Sequence, residues 1–210
     1  MQHTYILGVV LSMALAACST PIPPTTLPKP TIAPTPQPSA TMTMPSHVSN
    51  TIINTNIMLL AQNIGCDETQ QAQNQAAILQ ALNAVRSQPQ QCGKIFYPAT
   101  EAVTWNDLLA KSATAHAQDI AQRRFLSHYG TQGQGLRERI KLMGYQGGAG
   151  ENLASGQKNV DEVLQNWLSL SPGHCDNLMQ KKYKHAALVC VRNPQDQRPY
   201  WVLHLGIGKK

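Results

Sequence analysis

Residues 184–205 read KHAALVCVRNPQDQRPYWVLHL. Lys184 to Arg192 read as a strand, Asn193 to Pro199 as a loop and Tyr200 to Leu205 as a returning strand, which makes the stretch a hairpin. Upstream of it the clear signals are helical. Asp67 followed three residues later by Gln70 is a capping signal, and Ile78, Leu79, Leu82 and Val85 recur at helical spacing, so a helix is predicted over about 68–87. Pro89, Cys92 and Gly93 end it, and a loop leads to Val103-Thr104-Trp105. Asn106 can cap a second helix to about residue 124, with Leu109, Ala113, His116, Ala117 and Ile120 in one stripe. The glycine-rich YGTQGQG at 129–135 precedes a short third helix carrying Leu136, Ile140 and Met143, which Gly144 can terminate. Gly147-Gly148-Ala149-Gly150 then brings the chain into Glu151-Asn152-Leu153-Ala154. Asn159 caps a fourth helix with Asp161 and Glu162 opposing the dipole in its first turn; Val160, Val163, Leu164 and Trp167 face inward, and Ser171-Pro172-Gly173 breaks it. After a short segment, 174–180, the hairpin begins. Helices first and paired strands late predict an α+β or three-layer domain.

The chain begins MQHTYILGVVLSMALAAC. The apolar run from Tyr5 to Ala17 is too short to span a bilayer and stops at small residues before Cys18, the pattern of an export signal. Leu15-Ala16-Ala17-Cys18 resembles the lipobox of bacterial lipoproteins. That resemblance implies cleavage before Cys18, lipidation of its thiol, stable attachment to a membrane and, with Ser19 beside it, an outer-membrane lipoprotein. The n-region departs from the pattern in having no Lys or Arg. Residues 18–50 are dominated by Pro, Thr and Ser, with Lys29 the one fixed charge. Such a segment cannot bury a core and reads as an extended spacer. Three parts are therefore expected: 1–17 signal peptide, 18–50 tether, 51–210 a single folded domain.

The formal net charge is +6, with basic residues grouped at Arg123-Arg124, at Arg137, Arg139 and Lys141, at Lys181-Lys182 with Lys184, and at Lys209-Lys210. These read as a solvated exterior, and export argues against nucleic acid as a partner. With Cys18 assigned to lipid, Cys66, Cys92, Cys175 and Cys190 remain. An even number in an oxidising compartment predicts two bridges, and three connectivities stay open.

His128, Glu151 and His174 are titratable groups at loop junctions beside glycines, a recipe for a cleft. His116 lies on an apolar stripe and reads as a packed core histidine. The strand positions of His185 and His204 leave them free to face solvent, and His47 falls in the tether. Trp105, Trp167 and Trp201 read as core. Cys175 beside His174 is a poor nucleophile, since adjacent side chains seldom face each other and an exported thiol with partners oxidises.

One resemblance joins these pieces. Asn83 with Arg86, VTWNDLLA at 103–110, Phe125-Leu126-Ser127-His128, Arg139, Gly144-Tyr145, Gly150-Glu151-Asn152-Leu153-Ala154, Trp167, Ser171-Pro172-Gly173-His174 and Tyr200-Trp201 occur in the order of the CAP superfamily of cysteine-rich secretory, antigen 5 and pathogenesis-related proteins. The chain resembles its bacterial SCP-domain branch over about 76–206. The resemblance implies an α-β-α sandwich with a three-stranded antiparallel sheet and a central cleft. It also implies that His128 and His174 are the cleft histidines, able to hold zinc or another divalent metal, and that Glu151 is the first of two acids. The second acid is missing, because Trp167 is followed by Leu168-Ser169-Leu170-Ser171. Relatives further imply Cys92 paired with Cys175, leaving Cys66 with Cys190. The function so implied is a lipid-anchored binding or interaction module presenting its cleft to a lipid, peptide or glycan of the envelope or host. The alternative is a metal-assisted peptidase with Glu151 as its catalytic group, or Glu151, His128 and His174 serve only as a hydrogen-bonded polar cluster.

Overall fold

In the computed structural model residues 61–208 are described. The signal peptide expected at 1–17, the lipidation expected at Cys18 and the tether expected over 18–50 lie outside the described residues. No helix among the described residues is long and apolar enough to cross a membrane.

The predicted first helix is two: α1, Glu68–Gln73, and α2, Gln75–Arg86. The break is local chemistry, because Asn74 turns its side-chain amide back onto the carbonyl of Gln70 at 2.8 Å and offers the backbone an alternative to continuing. The segment expected to be a loop forms a small antiparallel hairpin, β1 Gln90–Cys92 with β2 Ile95–Tyr97. A two-residue strand β3, Thr104–Trp105, then leads to α3, Asp107–Arg123. Asn106 caps α3 as expected, its Oδ1 accepting from the amides of Leu108 and Leu109 at 3.1 and 3.0 Å. Helix α4 is Leu136–Leu142. The glycine-led segment after it becomes strand β4, Ala149–Ser155. Asn159 caps α5, Val160–Ser169, by accepting from Glu162 at 2.9 Å. Residues expected to be irregular make α6, Pro172–Met179, with proline in the first turn where its missing N–H does no harm. The hairpin closes the order as β5 His185–Arg192 and β6 Pro199–Gly206.

The main sheet runs β3-β5-β6-β4. Strands β5, β6 and β4 are antiparallel, as the resemblance implies, and β3 adds a two-residue parallel pairing on β5. Alternation along β6 sorts the two faces. Trp201, Leu203 and Leu205 join a core with α2, α5 and α6, whereas Tyr200 and Val202 pack with Ala113, Ala117 and Ile120 of α3. Helix α4 adds Ile140 beside Leu109 and Tyr145 on the α3 side. The sheet is thus buried on both faces between two helical layers. Cys66 bridges Cys190, and Cys92 bridges Cys175, with Cα–Cα distances of 5.2 and 5.4 Å. The second bridge ties the β1–β2 hairpin to α6.

Two residues quoted for the resemblance explain how the layers join. Asn83 of α2 donates to the Val103 carbonyl and accepts from its amide, both at 2.9 Å. Arg86 is fully buried and gives its guanidinium to the carbonyls of Glu101, Leu178 and Gln180. Burial lowers its pKa, with Glu101 opposing.

Candidate functional site

Strand register builds the centre of the site. Glu151 of β4 stands directly across from His204 of β6, and their side chains lie on the face covered by α3. The Nε2 of His204 is 2.9 Å from Glu151 Oε2. Helix α3 sets His116 over the same spot, its Nε2 3.8 Å from Oε2. The segment leaving α3 supplies His128, whose Nδ1 is 2.7 Å from Oε1. From α4, the Arg139 guanidinium donates to Oε2. A second Arg139 nitrogen donates to the carbonyls of His128 at 2.7 Å and Gln134 at 2.9 Å, which fixes the His128 loop.

Glu151 is therefore a buried, ringed carboxylate, its side chain 2% exposed. Burial pushes its pKa up, but the hydrogen bonds to His128 and His204 and the charges of His204 and Arg139 outweigh this and hold it well below the ordinary carboxylate range. The hydrogen bond to Glu151 raises the His128 pKa, burial opposing it. Burial lowers that of His116, against the pull of Glu151.

His174 reaches the site from the opposite layer. It sits in the first turn of α6, and its backbone carbonyl accepts from Asn152 Nδ2 at 3.0 Å. Asn177 ties the same turn to β4 by donating to the Glu151 carbonyl at 3.2 Å and to Asn152 Oδ1 at 3.0 Å. This close docking explains Gly150: a Cβ there would lie 2.2 Å from the Tyr183 hydroxyl. The His174 ring lies 6.2 Å, centroid to centroid, from that of Trp167. Burial and then the charge of nearby His128 lower its pKa.

The structure thus joins His128 to Glu151 directly, and His174 to Glu151 only through the neighbouring Asn152. His128 is exposed, its side chain 58% accessible, and His174 is half-buried. Two readings are corrected. His204 does not face solvent but is wholly buried against Glu151, and Arg139 is not part of a solvated basic surface. For His204 a signal was present: in YWVLHL both alternating sets are apolar apart from the histidine, the mark of a strand covered on both faces. His116 is a core histidine that also borders the carboxylate. His185 is partly covered, with Nδ1 3.0 Å from the Tyr145 hydroxyl.

A divalent metal would have to draw its ligands from this donor set. Catalytic zinc has three protein ligands and an open position. Here Glu151 is already engaged by three groups, and among the described residues no cluster of three or more His, Cys, Asp or Glu side chains is placed to hold a metal ion. The set does not fit a three-ligand zinc centre; at most two imidazoles, His128 and His174, are left for a cation.

Taken together, the fold and site define a three-layer α-β-α protein organised about a histidine- and arginine-ringed glutamate. Residues 79–205 match the model of the cysteine-rich secretory protein family, CAP, and the chain belongs to that family. It is similar to the uncharacterized protein YkwD of Bacillus subtilis, 32% identical over 89 residues, which are 42% of this chain and 34% of that protein. The match thus spans about a third of that relative's length. Among solved structures it is similar to an extracellular SCP-domain protein of Bacillus anthracis, with TM-score 0.54, 21% identity, and coverage of 68% of this chain and 44% of the other. An outer surface protein of Borrelia burgdorferi matches with TM-score 0.47, 18% identity, and coverage of 79% and 97%.

Proposed function

We propose that this CAP domain works outside the cytoplasm as a binding module. It presents His128 and His174, on the two sides of strand β4, to an envelope or host ligand of lipid, peptide or glycan type. The observation that carries this reading is the state of Glu151: a carboxylate already ringed by His128, His204 and Arg139, with its pKa held low. Such a group is a poor proton acceptor near neutral pH. It serves instead as the anchor that sets the angle of the exposed His128 ring. The export signal expected at the N-terminus and the extracellular character named for the SCP-domain neighbour of Bacillus anthracis support the location; lipidation of Cys18 and attachment to an outer membrane through it are part of the proposal.

A metal-assisted peptidase would require a carboxylate free to take a proton from water, and Glu151 is not free. A cation bridging His128 and His174 would add only a contact point for ligand. The test is titration of the isotope-labelled protein with envelope lipid micelles, peptidoglycan fragments and unstructured peptides, followed by NMR. One class should shift the His128 and His174 resonances saturably, and His128→Ala and His174→Ala should each weaken that response. Hydrolysis of the peptides, abolished by Glu151→Gln, would overturn the reading.

A further inference from the structure

The β1–β2 hairpin takes no part in the Glu151 ring, yet it is fixed to the body of the domain. Cys92 is bridged to Cys175, and Gly93, with φ +61°, turns the chain so close to α6 that a Cβ there would lie 3.1 Å from Pro172. The turn of Gly93 and Lys94 joins strands paired from Gln90↔Tyr97 to Cys92↔Ile95. Tyr97 packs against the core. Ile95 and Phe96 do not, being 52% and 64% exposed. Successive strand residues point to opposite faces, so apolar side chains stand bare on both faces of β2 next to the turn. Leu170, two residues before Pro172 at the end of α5, is 73% exposed. Single apolar residues on a surface are ordinary, whereas a group of them marks a contact.

We propose that the tip of this hairpin is a membrane-docking surface: Ile95 and Phe96 enter the headgroup layer of an anionic bilayer, with Lys94 at the phosphates. The geometry selects a lipid surface over a protein partner. A flat partner covers one face of a strand, and here both faces are apolar; immersion in a fluid layer covers both. From Gln88 to Thr100 the chain has no carboxylate and one cation, Lys94, which complements anionic headgroups. The Asp176 carboxylate lies beside Tyr97, at the end of β2 away from the turn. A lysine next to an aliphatic and an aromatic side chain is the composition of interfacial segments, its long stem reaching back to the phosphates. Depth is limited as well. The open edges of a two-stranded sheet carry unpaired backbone N–H and C=O groups, which hydrocarbon does not tolerate, so the tip rests at headgroup level. Because the disulfide already fixes the hairpin, docking has little to order. The inference rests on the membrane attachment proposed through Cys18 and is independent of the reading of His128 and His174.

The test is NMR of the isotope-labelled chain as exported, residues 18–210, with the Cys18 thiol coupled to a maleimide lipid in phosphatidylethanolamine–phosphatidylglycerol bicelles. This places the domain at a bilayer whether or not the cell lipidates Cys18. A lipid spin-labelled at its headgroup should broaden the amide signals of residues 93–97 several-fold more than the domain average. Ile95→Ser with Phe96→Ser, both at exposed positions, should bring that broadening down to the average while leaving unfolding in urea and the Cys92–Cys175 bridge unchanged. Lys94→Glu should weaken it several-fold in these bicelles and little where phosphatidylcholine replaces phosphatidylglycerol. Uniform broadening, strongest broadening at another exposed apolar segment such as Phe125-Leu126, or indifference to the double substitution would overturn the proposal. Shifts over residues 93–97 that follow protein concentration without lipid would also overturn it, assigning the tip to a second copy of the chain. The ligand response of His128 and His174 is a separate readout, so failure of one reading leaves the other standing.

Discussion

Glu151 is the residue on which the site turns, because it balances one buried guanidinium and orders three imidazoles around a single carboxylate. Removing one member of a buried ion pair leaves the other uncompensated, which typically costs about 3–5 kcal/mol. Glu151→Gln should therefore lower unfolding free energy by an amount in that range in urea titrations; a loss below about 1 kcal/mol would show that Arg139 needs no such partner. The histidines give the ring a pH dependence of known sign. The folded pKa of His128 is raised, so its contribution is complete below its unfolded value of about 6.5 and fades as pH climbs through the folded one. His116 and His174 are lowered, so they oppose stability as pH falls below about 6.5, where the unfolded chain takes up their protons. The low pKa of Glu151 contributes above about 4.3 and is lost as pH falls through its folded value. In His128→Ala the loss of stability relative to the parent should accordingly be larger at pH 5.5 than at pH 9, about one unit below and well above the ordinary histidine range; equal losses at the two values would remove the His128–Glu151 bond from the account.

Individual elements show what a sequence can say locally. Helices α3 and α5 were readable because Asn106 and Asn159 carry their capping signals within three residues. Strand β4 was not, since glycine, glutamate and asparagine have little strand preference and it exists through its seven-residue register with β6. Buried Arg139 was hidden for a related reason: on a short helix between Arg137 and Lys141, nothing local separates the residue that turns inward. His128, Glu151 and His174 carry a local signal as candidates, while the roles of His204, Arg139 and Asn177 depend on pairings 12 to 53 residues apart from Glu151. The same long-range logic applies to the bridges. Closing separations of 83 and 124 residues, each should contribute about 4–5 kcal/mol on the chain-entropy model. The double variants Cys92→Ser with Cys175→Ser, and Cys66→Ser with Cys190→Ser, should show comparable losses in urea. Only the first should also loosen the β1–β2 hairpin, read as faster amide exchange over residues 90–97.

Across the whole molecule, scaffold and proposed binding surface are separate. A sheet covered on both faces, two disulfides and a ringed carboxylate stiffen the domain, and the exposed His128 is presented from that rigid support. The binding reading stands or falls with Glu151 as a fixed anion that does not exchange protons near neutral pH. A side-chain carbon-13 pH titration of the specifically labelled Glu151 carboxyl group measures this without a ligand. The account predicts no titration step in the ordinary carboxylate range, the resonance keeping its ionised shift until pH is well below about 4. A midpoint at or above the ordinary glutamate value of about 4.3 would contradict it and restore Glu151 as a proton-transferring group.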